Sequence, residues 1–87
     1  MITVDFKMNF KKSYNYHKEE EYNKIFIRAQ EQWLNDCLLR DGFIGLNDIV
    51  SDLGFPRKEE YAPIVITEPF KIDYNDGIVR INIAQFE

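Results

Sequence analysis

Cysteine, histidine and tryptophan each occur once in the 87 residues, glycine four times and proline three times. Cys37 alone excludes an intrachain disulfide, so nothing favours an oxidising compartment. His17 is the only imidazole, and Cys37 would lie about five turns further along the same helix. One subunit therefore offers no zinc-ligand set from the two. The four glycines form no phosphate-binding loop, and no Ser-His-Asp set has independent support. "DYNDG" resembles the start of a calcium loop, but Gly77 and Ala84 fall where an oxygen ligand and a Glu are required. No cofactor, metal or catalytic residue is expected, and the chain reads as non-enzymatic.

Apolar runs are short as well. None approaches the roughly 20 residues that span a bilayer. "MITVDFKMNF" places Asp5 and Lys7 inside its apolar pattern, unlike a secretory leader. A cytoplasmic location is expected, without membrane contact. Basic residues number 11 against 15 acidic ones, for a net charge of −4. Met1–Gly45 sums to zero, and Leu46–Glu87 carries the whole excess. A nucleic-acid partner is not expected, because duplex binding draws on a positive field.

Apolar side chains are abundant. They make up 45% of the chain, with seven Phe and five Tyr, which separates it from disordered sequences. The length fits one small domain, 1–87, with a thin core. Ile2, Val4, Phe6, Met8 and Phe10 alternate with polar residues, which predicts a strand with one buried face.

The period then changes. Tyr22, Phe26, Ala29, Trp33 and Cys37 recur at helical spacing, widened by Ile25, Leu34 and Leu38. A helix over about 18–40 is predicted, with Trp33 and Cys37 inside and Ser13 or Asn15 as alternative N-caps. Gly42 fits a left-handed ending in which Phe43 touches Leu38. Ile27 and Leu39 fall off this face and are candidates for a second contact surface.

"GLNDIVSDLGFP" predicts a short helix capped by Asn47 and begun at Asp48. Gly54 would be left-handed, Phe55 would fold back on Val50, and Pro56 would stop the helix. Asp48 and Asp52 share one helical side, a pattern that suits a solvated face better than an acid–base pair. "PIVITEPF" predicts a short strand, and Phe70–Ala84 a hairpin around "YNDG". In that hairpin Lys71 or Asp73 would stand across from Arg80 or Asn82. The expected fold is α+β: an antiparallel three- to four-stranded sheet packed against one long and one short helix, in the order β-α-α-β-β-β.

"AQEQWLNDCLLRDGFIGLNDIVSDLGFPR", residues 29–57, resembles a segment of small uncharacterised proteins of phages and mobile elements in Gram-positive bacteria. Ala29-Gln30, Gly42, Leu46-Asn47-Asp48 and Leu53-Gly54-Phe55-Pro56-Arg57 carry the likeness. That group often continues with a Gly-Trp element, where this chain has "YAPIVITEPF". The resemblance implies a source and brings no activity with it.

Interaction functions remain. The leading expectation is a self-associating or assembly subunit, with a protein partner or a homo-oligomer and no small-molecule substrate. An inhibitor that covers a basic protein surface with the acidic C-terminal half is the alternative. A DNA-binding module built on the two helices is disfavoured, because the short helix carries Asp48 and Asp52 and no basic residue. The candidate contact residues are Ile27, Leu39, Asp48, Asp52, Glu59 and Glu60.

Overall fold

The structure, a computed structural model, describes residues 2–85. Three strands form its main sheet: β1 (Ile2–Asn9), β4 (Lys71–Asn75) and β5 (Ile78–Gln85). All pairs are antiparallel and the spatial order is β1-β5-β4. β5 is central because its inward row, Val79, Ile81 and Ile83, is wholly β-branched, suiting a crowded pleated face. The β4–β5 turn is two residues long, with Asp76 at φ 51° and Gly77 at φ 78°. Two positive φ values match the right-handed strand twist, which explains the Asp-Gly pair. Lys71 faces Asn82 and Asp73 faces Arg80, as the alternation predicts. The side chain of Ile2 lies outside the described part.

The long helix α1 spans Glu20–Asp41. Glu20 and Glu21 lie in its first turn, where the helix dipole favours negative charge. Neither Ser13 nor Asn15 caps it. The N-cap residue is Glu19, without a side-chain bond. The fully buried Asn23 ties the approach to the first turn instead. Its Oδ1 accepts from the His17 N–H at 2.8 Å, and its Nδ2 donates to the His17 carbonyl at 2.8 Å.

The buried face of α1 differs from the expected one. Asn23, Ile27, Leu34 and Leu38 point inward, whereas Trp33 is 54% exposed. At ~100° per residue this face is turned by roughly 130° from the Tyr22–Ala29–Trp33 line. Phe26 and Cys37 stand at the seam, half-buried. Apolar residues occur on nearly every side of the helix, so periodicity alone admits both faces. On α1 the branched aliphatic side chains of Ile27, Leu34 and Leu38 enter the interior, while Tyr22 and Trp33 remain at the surface.

The single-sheet expectation requires correction. A second, two-stranded sheet pairs β2 (Ile44–Gly45) with β3 (Val65–Ile66). β2 is too short to show a period, so the sequence reads there as a link. Pro63 and Pro69 bracket β3 and deny it a longer ladder. Between the two strands lies α2 (Leu46–Asp52), which buries Leu46, Ile49 and Val50, followed by the buried Leu53. Asn47 is not its cap. Gly45 holds that place, and the Asn47 amide exchanges two bonds with the Lys58 backbone, at 2.9 and 3.0 Å.

α2 ends as expected. Gly54 has φ 95°, its N–H donates to the Ser51 carbonyl, and the Phe55 N–H reaches back to the Val50 carbonyl at 2.9 Å. The α1 ending is simpler. Gly42, at φ 83°, makes one bond to the Leu38 carbonyl at 2.7 Å, and Phe43 swings out to 57% exposure instead of folding back.

Both helices and the inward rows of the main sheet share one core, which includes Phe10, Leu38, Ile49, Phe70 and Ile81. The opposite sheet face is polar, with Asp5, Lys7, Lys71, Asp73 and Arg80 exposed. The two edges of the main sheet differ. α1 closes the β4 edge: Glu31 Oε2 accepts from the Ile72 N–H at 2.7 Å, and Asn35 bonds both backbone groups of Phe70. Among the described residues no strand or hydrogen bond covers the outer backbone edge of β1, although Tyr61 packs edge-on against the Phe6 ring at 5.7 Å.

Candidate interaction surface

Turning Ile27, Leu34 and Leu38 inward forces other apolar side chains of α1 outward. Tyr22, Ile25 and Trp33 follow one another along the outer side of the helix, each more than half exposed. Phe43 continues the line past the left-handed Gly42. Leu39 is the most exposed leucine, at 73%. Single exposed apolar groups are ordinary on a protein surface, and here several share one side of the helix.

Beside this row, between α1 and α2, runs an open groove of about 300 Å³. Trp33, Cys37, Phe43, Asp48 and Asp52 are among its walls. Cys37 is half-buried here and not enclosed in the core. Asp48 is held by Arg57 at 2.9 Å, between the C-terminal continuation of α2 and its first turn. Asp52 differs, because its Oδ2 is buried and has no hydrogen-bond partner among the described residues. Burial without compensation penalises the charged form and pushes this carboxyl above its ordinary range. At the groove rim Arg40 and Asp41 pair at 3.1 Å, which holds Asp41 below the usual carboxylate range.

The six candidate contact residues do not form one surface. Ile27 is 2% exposed and belongs to the core, because it lies on the Asn23–Leu34–Leu38 side of α1. Leu39 is on the outer helix surface. Asp48 and Asp52 line the groove. Glu59 and Glu60 sit on a 3₁₀ turn at Glu59–Tyr61, both exposed, with Lys58 3.9 Å from Glu60. Spacing places Trp33 inside and the left-handed ending places Phe43 against Leu38, whereas both are more than half exposed, as Tyr22 is. Only the αL break at Gly42 hints in the sequence that Phe43 can leave the helix axis.

His17 is exposed and stacks on Tyr22, with ring centroids 4.6 Å apart. Its Nδ1 accepts from the Glu19 N–H, which makes it part of the α1 approach. Nearby, Tyr74 donates to Glu20 Oε1 at 2.8 Å, and burial together with that bond pushes its hydroxyl up to about 12. Among the described residues no group of three or more His, Cys, Asp or Glu side chains is placed to hold a metal ion. No helix among them is long and apolar enough to cross a membrane.

Comparison with protein-family models, curated proteins and solved structures returns no match.

Proposed function

We propose that this protein is a non-enzymatic assembly subunit that self-associates and, on a separate surface, the outer face of α1, meets other proteins. The row Tyr22–Ile25–Trp33, continued by Phe43, carries this reading. Aromatic side chains half in water gain most from burial by a partner, and they dominate the energetics of known interfaces. The likeness of residues 29–57 to small phage and mobile-element proteins supports an accessory subunit of such an element. The size of the chain adds a physical motive, since a thin core gains from surface buried between copies.

Light scattering across a concentration series tests it. The weight-average mass is expected to rise with concentration. A monomer mass throughout the series overturns the reading.

The inhibitor reading has one specific support, the exposed Asp48, Glu59 and Glu60 on the acidic half. It predicts a discrete complex with one basic host protein that weakens as salt rises.

A further inference from the structure

We infer that two copies of this chain pair antiparallel through β1, about a two-fold axis at Phe6, to form a continuous six-stranded sheet. The inference rests on the self-association proposed above and names the surface that makes the contact.

The argument begins with backbone directions. The Phe10 N–H donates to the Gly77 carbonyl at 2.8 Å, which continues the β1–β5 ladder. In an antiparallel ladder the bonded positions alternate, so the even-numbered residues of β1 turn their N–H and C=O groups toward β5. Asp5 and Lys7 therefore turn theirs outward, and no protein group among the described residues bonds them. The β4 edge, in contrast, is closed by Glu31 and Asn35. An eight-residue strand with an open edge and neither proline nor bulge is a template for another strand.

The register follows from the side chains. A slip by one residue would set the apolar row of one copy against the polar row of the other, so only even shifts are allowed. Centring on Asp5 places Asp5 against its own counterpart, and centring on Lys7 does the same for lysine. Centring on Phe6 alone sets Asp5 opposite Lys7 of the second copy, twice by symmetry. The same register gives Asp5 and Lys7 mutual backbone bonds and places Val4 opposite Met8 on the inner side.

Two further observations favour a second copy as the occupant. Lys7 stands directly across from Arg80, a like-charge pair, and no carboxylate lies within ion-pair distance of Lys7 among the described residues. An incoming Asp5 supplies the missing charge. The inward side chains Val4, Phe6 and Met8 are also only half-buried, while their β5 neighbours Val79, Ile81 and Ile83 are closed off. A second β1 extends the apolar layer over them. Pairing at this edge leaves the outer face of α1 free, because the helix packs at the β4 side.

Amide hydrogen exchange by NMR, read alongside light scattering, tests the pairing on the unmodified chain. At low concentration the Asp5 and Lys7 amides should exchange quickly, while those of Phe6 and Met8 are protected. As dimer forms, Asp5 and Lys7 should slow by about tenfold or more, tracking the dimer fraction. If an oligomer forms and these two amides stay fast, the contact lies elsewhere; the β1 inference falls and the assembly reading stands. If the mass stays monomeric at all concentrations, both fall.

A charge trio tests the register. Asp5→Lys alone and Lys7→Asp alone should each weaken dimerisation by about tenfold, and the double variant should restore it. A double variant as weak as the worse single overturns the register. Both positions are exposed, so the fold tolerates the changes; Asp5→Lys also gives up its bond from Asn82 Nδ2.

Discussion

Asn35 of α1 and Phe70, just before β4, exchange two hydrogen bonds: Nδ2 donates to the Phe70 carbonyl at 2.9 Å, and Oδ1 accepts from its N–H at 3.1 Å. A side-chain amide thereby takes the place of a neighbouring strand. Glu31, one turn earlier, does the same for the Ile72 N–H. Helix rotation and sheet edge are thus fixed together, since both residues must face β4 while Ile27 and Leu34 face the core.

Asn35→Ala should leave two part-buried backbone groups without partners and cost about 1–3 kcal/mol. Urea denaturation of the variant checks it. An unchanged midpoint would mean that water replaces the amide at no loss, and that the β4 edge is not locked by this residue.

The α2 ending makes a second, steeper prediction. Gly54 and Gly42 are both left-handed, yet their surroundings differ. A Cβ on Gly42 meets open space, whereas one on Gly54 runs into Ser13 Oγ and the Asn15 side chain. Ser13 in turn donates to the Leu53 carbonyl at 2.6 Å and accepts from the Asn15 N–H, so it cannot simply step aside. Gly42→Ala should cost about 1–2 kcal/mol from backbone conformation alone. Gly54→Ala should cost more, with the difference read from the two thermal midpoints.

The buried face of α1 is tested by a pair of truncations. Ile27→Ala should cost about 2–5 kcal/mol, as expected for a core aliphatic residue. Trp33→Ala should cost less than about 1 kcal/mol in the monomer, because more than half of its surface is already in water. Denaturant midpoints at a concentration where the chain is monomeric decide between this face and the one read from spacing.

The contrast between these two residues marks what the sequence could carry. Alternation located β1, β4 and β5 because a period of two leaves only one apolar row per strand. The turn and the Gly54 ending were legible because left-handed backbone restricts the residues that fit. Helix α1 was legible as a helix but not in its rotation, since Tyr22–Trp33 and Ile27–Leu38 form competing stripes of similar strength. β2 was invisible, as two residues have no period. Among the candidate residues, Ile27 proves to be core because of the helix rotation, and that same rotation exposes Trp33, which no local pattern shows. The roles of Glu31 and Asn35 arise from partners 35 to 41 residues away, which no local pattern encodes.

Tyr74 gives a spectroscopic check on the contact between the α1 start and β4. Its hydroxyl is pushed up to about 12, first by burial and then by its bond to Glu20. The native state therefore keeps this proton between the ordinary tyrosine value near ~10 and about 12, while the unfolded chain releases it. This contribution to stability is full below ~10 and is lost as pH rises through that window. In an ultraviolet titration one phenol of the wild type should ionise late, and Tyr74→Phe should remove that phase.

Asp52 provides the acid-side counterpart. Burial of Oδ2 without a partner raises its folded-state pKa above the unfolded carboxylate value near ~4. Between the two values the native state holds more protons than the unfolded chain, so stability falls as pH rises through the window. The charged carboxylate at neutral pH is thus a local cost, carried on the wall of the groove beside Trp33 and Cys37. Asp52→Asn removes the titration. The stability difference, variant minus wild type, should therefore grow as pH climbs from about 4 and level off once the native carboxyl is ionised. Urea unfolding at several pH values measures it, and a difference that stays flat would show that solvent already reaches Oδ2.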